Sequence, residues 1–170
     1  GYGGDYSDGL SNVVNIFSNK YAFAALKDDG SVVAWGLGLD GGVIPENKQT
    51  QLNSGVINIF STVGAFAALK DNGSVITWGE HGGDSSSISS QLSSGVSQIF
   101  STDSAFAALK EDGSVVTWGM TGGGGDSTEV SDQLSSGVSQ IFSTGYAFAA
   151  LKEDGSVVTW GNKGTGGDSS

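Results

Sequence analysis

Cysteine is absent from this chain, which excludes a disulfide framework, a thiolate nucleophile and a cysteine metal site. Proline and histidine occur once each, at Pro45 and His81. Basic residues are scarce, 7 Lys plus Arg against 18 Asp plus Glu, for a net charge of -11 at pH 7. Such a chain repels phosphate backbones, and no basic stripe offsets this, so nucleic acid is not an expected partner. No apolar run is long enough to span a bilayer, and no membrane insertion is expected. The first residue is Gly1 with neither Met nor a signal-like stretch after it, so the expectation is a processed or excised piece.

What the chain has in abundance is self-similarity. AFAALKEDGSVVTWG stands at 105–119 and again at 147–161, with near-copies at 22–36 and 65–79. Trp35, Trp78, Trp118 and Trp160 are spaced by 43, 40 and 42 residues, and Phe17, Phe60, Phe100 and Phe142 keep the same spacings. A period near forty marks a stacked or circular repeat fold. The single repeat domain 1–170 divides at about 8–50, 51–90, 91–132 and 133–170. GGDYS near the start (Gly3 to Ser7) resembles GGDSS at the end (Gly166 to Ser170), so four whole periods are present.

Each copy reads as short strands, because its apolar residues are aromatic, branched or small and no long 3.6-residue period or helix cap appears. Asp154-Gly155 between two apolar runs predicts a tight hairpin, and the same turn recurs at Gly30, Gly73 and Gly113. Alternation puts Phe148 and Ala150 on one face and Ala147, Ala149 and Leu151 on the other. With both faces apolar or small, each sheet is expected to lie between neighbours. A fourth segment such as SISSQL (87–92) completes the expectation of an all-β chain of four tandem antiparallel meanders. That architecture is β-propeller-like, either partial, four-bladed or closed by oligomerisation.

The pattern Ala-Leu-x-x-Asp-Gly-x-Val-x-x-Trp-Gly preceded by Val-x-x-Ile, carried in the fourth copy by Val138, Ile141, Ala150, Leu151, Asp154, Gly155, Val157, Trp160 and Gly161, resembles the repeat of the regulator of chromosome condensation family of β-propellers. The likeness covers about half of each copy and is nearest to the short-repeat bacterial members. Those include a secreted β-lactamase inhibitor, which implies that such rings serve as pure binders. The chain departs from the family in carrying Phe where His often precedes Ser-x-Ala-Leu, and Gly-Gly-Asp-Ser-Ser in place of Gly-Gln-Leu-Gly after Trp-Gly. Neither nucleotide exchange nor chromatin binding is carried over. The family ring usually has seven blades, so four copies imply pairing of chains, a cut array or an open stack.

The copies differ from one another in two places. One is the short loop after the first strand (19–21, 62–64, 102–104, 144–146) and the other is the long loop after Trp-Gly. In an up-and-down meander both emerge at the same end, opposite the uniform Asp-Gly and Ser-Gly turns. Loops on a rigid frame are where binding residues concentrate, which makes Tyr21, His81, Met120 and Tyr146 the candidate contacts with a partner. The lone His81 has no nucleophile and carboxylate placed beside it by sequence, so it reads as a loop residue rather than a catalytic base. The carboxylate pairs Asp28/Asp29 and Glu111/Asp112 occupy the hairpin turn of their copies and read as turn chemistry. No catalytic residue is assigned, and the chain is not expected to be an enzyme. The GGDSS and GGGGDSTEVSD stretches resemble calcium-binding Gly-Asp repeats without matching their spacing, leaving Asp84, Asp126 and Asp168 as candidate calcium ligands. No Walker-type Lys follows the glycines, so phosphate binding is disfavoured. The four Trp residues read as core or interblade residues rather than a sugar platform.

The expected function is a non-enzymatic binding module, extracellular or at the cell surface, recognising a protein or surface partner through the variable loops. Self-association is the companion expectation, since the alternative is a structural repeat of a long adhesin or self-assembling fibre whose open sheet edges need capping.

Overall fold

Twelve strands, each five or six residues long, follow one another in a strict three-beat rhythm in a computed structural model whose described residues are 10–169. The Gly3–Ser7 stretch likened above to the end of the chain lies outside them, as does Ser170. β1 (Val13–Ser18), β2 (Ala22–Lys27) and β3 (Val32–Gly36) form sheet one. β4 (Val56–Ser61), β5 (Ala65–Lys70) and β6 (Val75–Gly79) form sheet two. Sheet three holds β7 (Val96–Ser101), β8 (Ala105–Lys110) and β9 (Val115–Gly119), and sheet four β10 (Val138–Ser143), β11 (Ala147–Lys152) and β12 (Val157–Gly161). All pairings are antiparallel between sequence neighbours. The four sheets stand in tandem without closing on themselves.

The hairpin between second and third strands follows from the Asp-Gly turn. Gly30 N donates to Lys27 O and Lys27 N to Ser31 O, with Gly30 at φ +76 and its counterparts Gly73, Gly113 and Gly155 at +74, +75 and +84. A three-residue loop ending in a left-handed residue matches the twist of the flanking strands, and Gly supplies that conformation without a Cβ clash. The first hairpin is irregular in a way the sequence did not announce. Its register slips at Asn15, Asn58, Gln98 and Gln140, a bulge next to the start of each first strand.

The expected fourth strand does not form. SISSQL instead enters a 3-10 turn at Ser86–Ile88, and the only ladder-like bond of the segment runs from Val75 N to Leu92 O, repeated one sheet on from Val115 N to Leu134 O. The reason is local. Asp84 accepts from Ser86 N and Ser93 Oγ donates to Ser90 O, and such side-chain bonds compete with a ladder wherever no alternating apolar residues reward one. Each meander therefore has three strands, and its outer strand is flanked by a loop. The loop after sheet one also holds one helical turn, α1 (Glu46–Gln49), entered from Pro45 at φ -58.

The core lies between sheets. Ala22, Ala24, Leu26 and Val32 on the back of sheet one meet Ile59, Phe66, Ala68 and Trp78 on the front of sheet two, with Leu52 from the connecting loop filling the seam. The same set recurs between sheets two and three around Leu92, and between three and four around Leu134. Alanines on the back let the next backbone approach, and each Phe stacks on its cross-strand Trp at 5.2 to 5.3 Å between ring centroids. Such a pair is worth about 0.5–1.5 kcal/mol beyond its burial. Alternation thus places both faces as the sequence implied, and Trp78, Trp118 and Trp160 are interblade residues, while Trp35 lies on the front of sheet one outside the three seams.

Candidate binding face

The two ends of the stack are built differently. At the hairpin end, Asp29 Oδ1 accepts from the amide and hydroxyl of Ser31, and Asp112 and Asp154 do the same for Ser114 and Ser156. These bonds hold the three carboxyls below their ordinary value, the Ser hydroxyl contributing most. Asn72 makes the same pair of bonds to Ser74, so the position requires an acceptor and no charge. The turns are stitched together across sheets: Val56 N donates to Gly30 O, Val96 N to Gly73 O and Val138 N to Gly113 O.

At the opposite end the short loops and the long loops meet. The first residue of every short loop fastens it to the long loop of its own sheet. Asn19 Nδ2 donates to Asp40 O, Thr62 Oγ1 to His81 O, Thr102 Oγ1 to Gly123 O and Thr144 Oγ1 to Thr165 O. The sequence reading treated the whole short loop as variable and missed this fastener. Its signal was the Thr shared by positions 62, 102 and 144. The middle residues carry a second tie, a backbone ladder from sheet to sheet: Lys20 N to Val63 O, Val63 N to Asp103 O and Asp103 N to Gly145 O. These loops surround a depression of about 380 Å³.

On this bound frame Tyr21, His81, Met120 and Tyr146 are all exposed, one on each sheet. Tyr21 and Tyr146 occupy equivalent positions in the first and last sheets, so the array separates them. Lys20 Nζ sits 5.2 Å from the Tyr21 ring centroid. His81 is the one side chain drawn into an arrangement invisible in the sequence. Its backbone takes φ +42, and its Nδ1 lies 3.6 Å from Oδ1 of Asp40, a buried carboxylate from the loop of the preceding sheet. The pair is ionic only when the imidazole is protonated.

Asp84 and Asp126 serve as local caps. Asp84 Oδ1 accepts from Ser86 N, and Asp126 Oδ1 from the amide and hydroxyl of Thr128. Those bonds hold both carboxyls below their ordinary value. The two line a common groove of about 670 Å³ beside β9, and Asp168 follows the corresponding glycines after sheet four. Among the described residues no three His, Asp or Glu side chains converge as a metal cluster. In sheet two the matching outer edge is covered, because Lys48 Nζ from α1 donates to Thr77 O. Partial burial there lowers the Lys48 pKa from its ordinary value, against the pull of Asp84.

This tandem array of three-stranded sheets superposes on solved structures. Yeast RCC1 (Prp20) bound to Kap60 superposes with a TM-score of 0.62 at 19% identity, over 89% of this chain and 44% of that one. The chain has the fold of part of a propeller like that of RCC1. A second structure of the Saccharomyces cerevisiae protein Prp20p gives 0.61 at 19% identity, over 89% and 45% of the two chains. The entire ectodomain of the Physcomitrella patens receptor kinase CR4 gives 0.57 at 17%, over 89% and 41%. The chain thus spans less than half the length of each of these neighbours. No family model matches the sequence, and no curated protein does. Among the described residues no helix is long and apolar enough to cross a membrane.

Proposed function

We propose that the chain is a non-enzymatic binding module that engages a protein or cell-surface partner through its loop end, in an extracellular setting. The observation that carries this reading is that the loop end differs from sheet to sheet on a hydrogen-bonded backbone, with exposed Leu37, Met120 and Asn162 at equivalent positions after the third strand and Tyr21 and Tyr146 only in the first and last sheets, while the hairpin end repeats itself. A fastened loop loses little conformational entropy on binding, so exposed Tyr and Met there convert contact into affinity at low cost. Protein binding is in keeping with RCC1 (Prp20), whose structure was solved on Kap60 and whose binding to Gsp1p and histones was studied. The extracellular setting is in keeping with the CR4 ectodomain.

The test is capture of surface or secreted proteins on the immobilised chain, followed by affinity measurement of each captured protein against two variants. Alanine at Tyr21, His81, Met120 and Tyr146 should weaken binding at least tenfold, whereas alanine at Asp28, Glu111 and Glu153 on the hairpin end should leave it unchanged. The reverse pattern, or no effect of the loop variant, overturns the assignment. The rival reading, a repeat of an adhesin or self-assembling fibre, has in its favour the uncovered faces of the first and last sheets, and predicts polymer rather than a defined complex.

A further inference from the structure

Every internal seam of the stack joins the back of one sheet to the front of the next, and two such surfaces are left over. On the front of sheet one, Phe23 is 45% exposed, whereas its counterparts Phe66, Phe106 and Phe148 are 0%, 0% and 1% exposed. Ile16 on the same face is 56% exposed, against 2 to 3% for Ile59, Ile99 and Ile141. On the back of sheet four, Val157 and Phe142 are 55% and 51% exposed, and Ala149 and Leu151 are partly exposed where their equivalents are buried.

These two faces are the halves of one interface that the molecule already makes three times. The back of sheet four is built on AFAALK (147–152), the hexapeptide that presents the back of sheet three at 105–110. The front of sheet one carries the same stacked Phe-Trp pair, Phe23 on Trp35 at 5.3 Å, that fills the internal seams. The third component of a seam is also in place. Leu52, Leu92 and Leu134, each just before a first strand, are 0 to 2% exposed, whereas Leu10, just before β1, is 41% exposed. Asn12 between Leu10 and β1 adopts φ +60, the left-handed conformation held by Gly55, Gly95 and Gly137 in the other copies. The approach to β1 therefore has the geometry of an internal seam with no described sheet on its other side. A leftover apolar surface of this kind is an interaction site, and the occupant whose shape matches is another sheet four.

We propose that two copies of this chain dock head to tail, the back of sheet four of each on the front of sheet one of the other, closing a ring of eight sheets. The contact is heterologous at each seam, and it terminates because the second seam closes the first. Closure sets Tyr146 of one copy at the ring position next to Tyr21 of the other, so the loop end becomes continuous around the ring. The seam itself is apolar, while both copies carry -11, so association strengthens as salt screens the repulsion.

The test is the solution mass of the 170-residue chain by light scattering, at tens of micromolar and at low and high salt, alongside F23D and V157D. Both substitutions fall on exposed positions outside the three internal seams, and circular dichroism verifies that each variant is folded. The expected result is a mass of about twice the 17.1 kDa chain, a monomer for either variant alone, and a one-to-one complex when the two variants are mixed, since the mixture retains one intact seam. A parent chain that stays monomeric overturns the proposal, as does F23D or V157D leaving the dimer intact. Growth into polymer overturns closure of the ring.

Discussion

Trp78 Nε1 donates to the carbonyl of Gly41, 2.9 Å away in the loop of the preceding sheet. Trp160 does the same to Gly124 at 3.1 Å, whereas Trp118 Nε1 is buried with no acceptor. The difference is in the loop: Gly79 to Gly83 is two residues shorter than Gly36 to Gly42 or Gly119 to Gly125, and the 3-10 turn that precedes the acceptor glycine in the longer loops (Gly38–Asp40, Thr121–Gly123) is missing there. Replacing Trp by Phe at 78 or 160 strands a carbonyl, while at 118 it removes an unpaired donor. The Trp78→Phe and Trp160→Phe variants should each be about 1–3 kcal/mol less stable than Trp118→Phe, read from denaturant midpoints.

The short-loop fastener predicts a second asymmetry. Thr102 is buried, accepts from Ala105 N and donates to Gly123 O. Thr102→Val keeps shape and removes the hydroxyl, leaving those groups unpaired at a cost of about 1–3 kcal/mol. Thr144 makes the same bonds at an exposed site, where water replaces the hydroxyl, so Thr144→Val should cost markedly less. Thermal melts of the two variants decide the order.

Gly64 is not in the left-handed region, but a Cβ there would overlap Asp40 Oδ1 and lie 2.9 Å from His81 Nδ1. Gly64→Ala should therefore push the His81 imidazole away from Asp40 and displace the loop after β6. The imidazole resonances of His81 report it directly, and chemical shifts unchanged in Gly64→Ala would show that the two side chains do not meet in solution.

The turn carboxylates predict the acid limb of stability. Asp29, Asp112 and Asp154 have folded values below the ordinary 3.8 because Ser hydroxyls and amides bond to the ionised form. Their contribution is fully present above 3.8 and is lost as pH falls from there through the lowered folded values. Replacing all three by Asn, the residue that already does this work at position 72, should flatten the melting temperature below pH 4 and leave it little changed at pH 7.

The repeat frame was legible from residues alone because its determinants are local. Gly at the third turn position forces the hairpin, and period-two alternation in AFAALK decides which face each side chain takes whatever the neighbour is. The fourth strand was misread because SISSQL has strand-like spacing around Leu92, whereas the competition between Ser and Asp side chains and a ladder shows only once the backbone is built. Among the candidate site residues, the common placement of Tyr21, His81, Met120 and Tyr146 at one end followed from strand parity. That His81 reaches Asp40 across two loops could not be read, since the two residues stand 41 positions apart and only the packing of one sheet on another brings them together.

The sequence by itself determined the strands, their turns, the Phe-Trp register and the two unlike ends, all of them set by the conformational preferences of residues a few positions apart. Only the tertiary structure decided which apolar faces are satisfied. Phe23 and Phe148 stand in the same local sequence, yet one is exposed and the other buried, because burial depends on whether another sheet lies in front and not on the residue that awaits it.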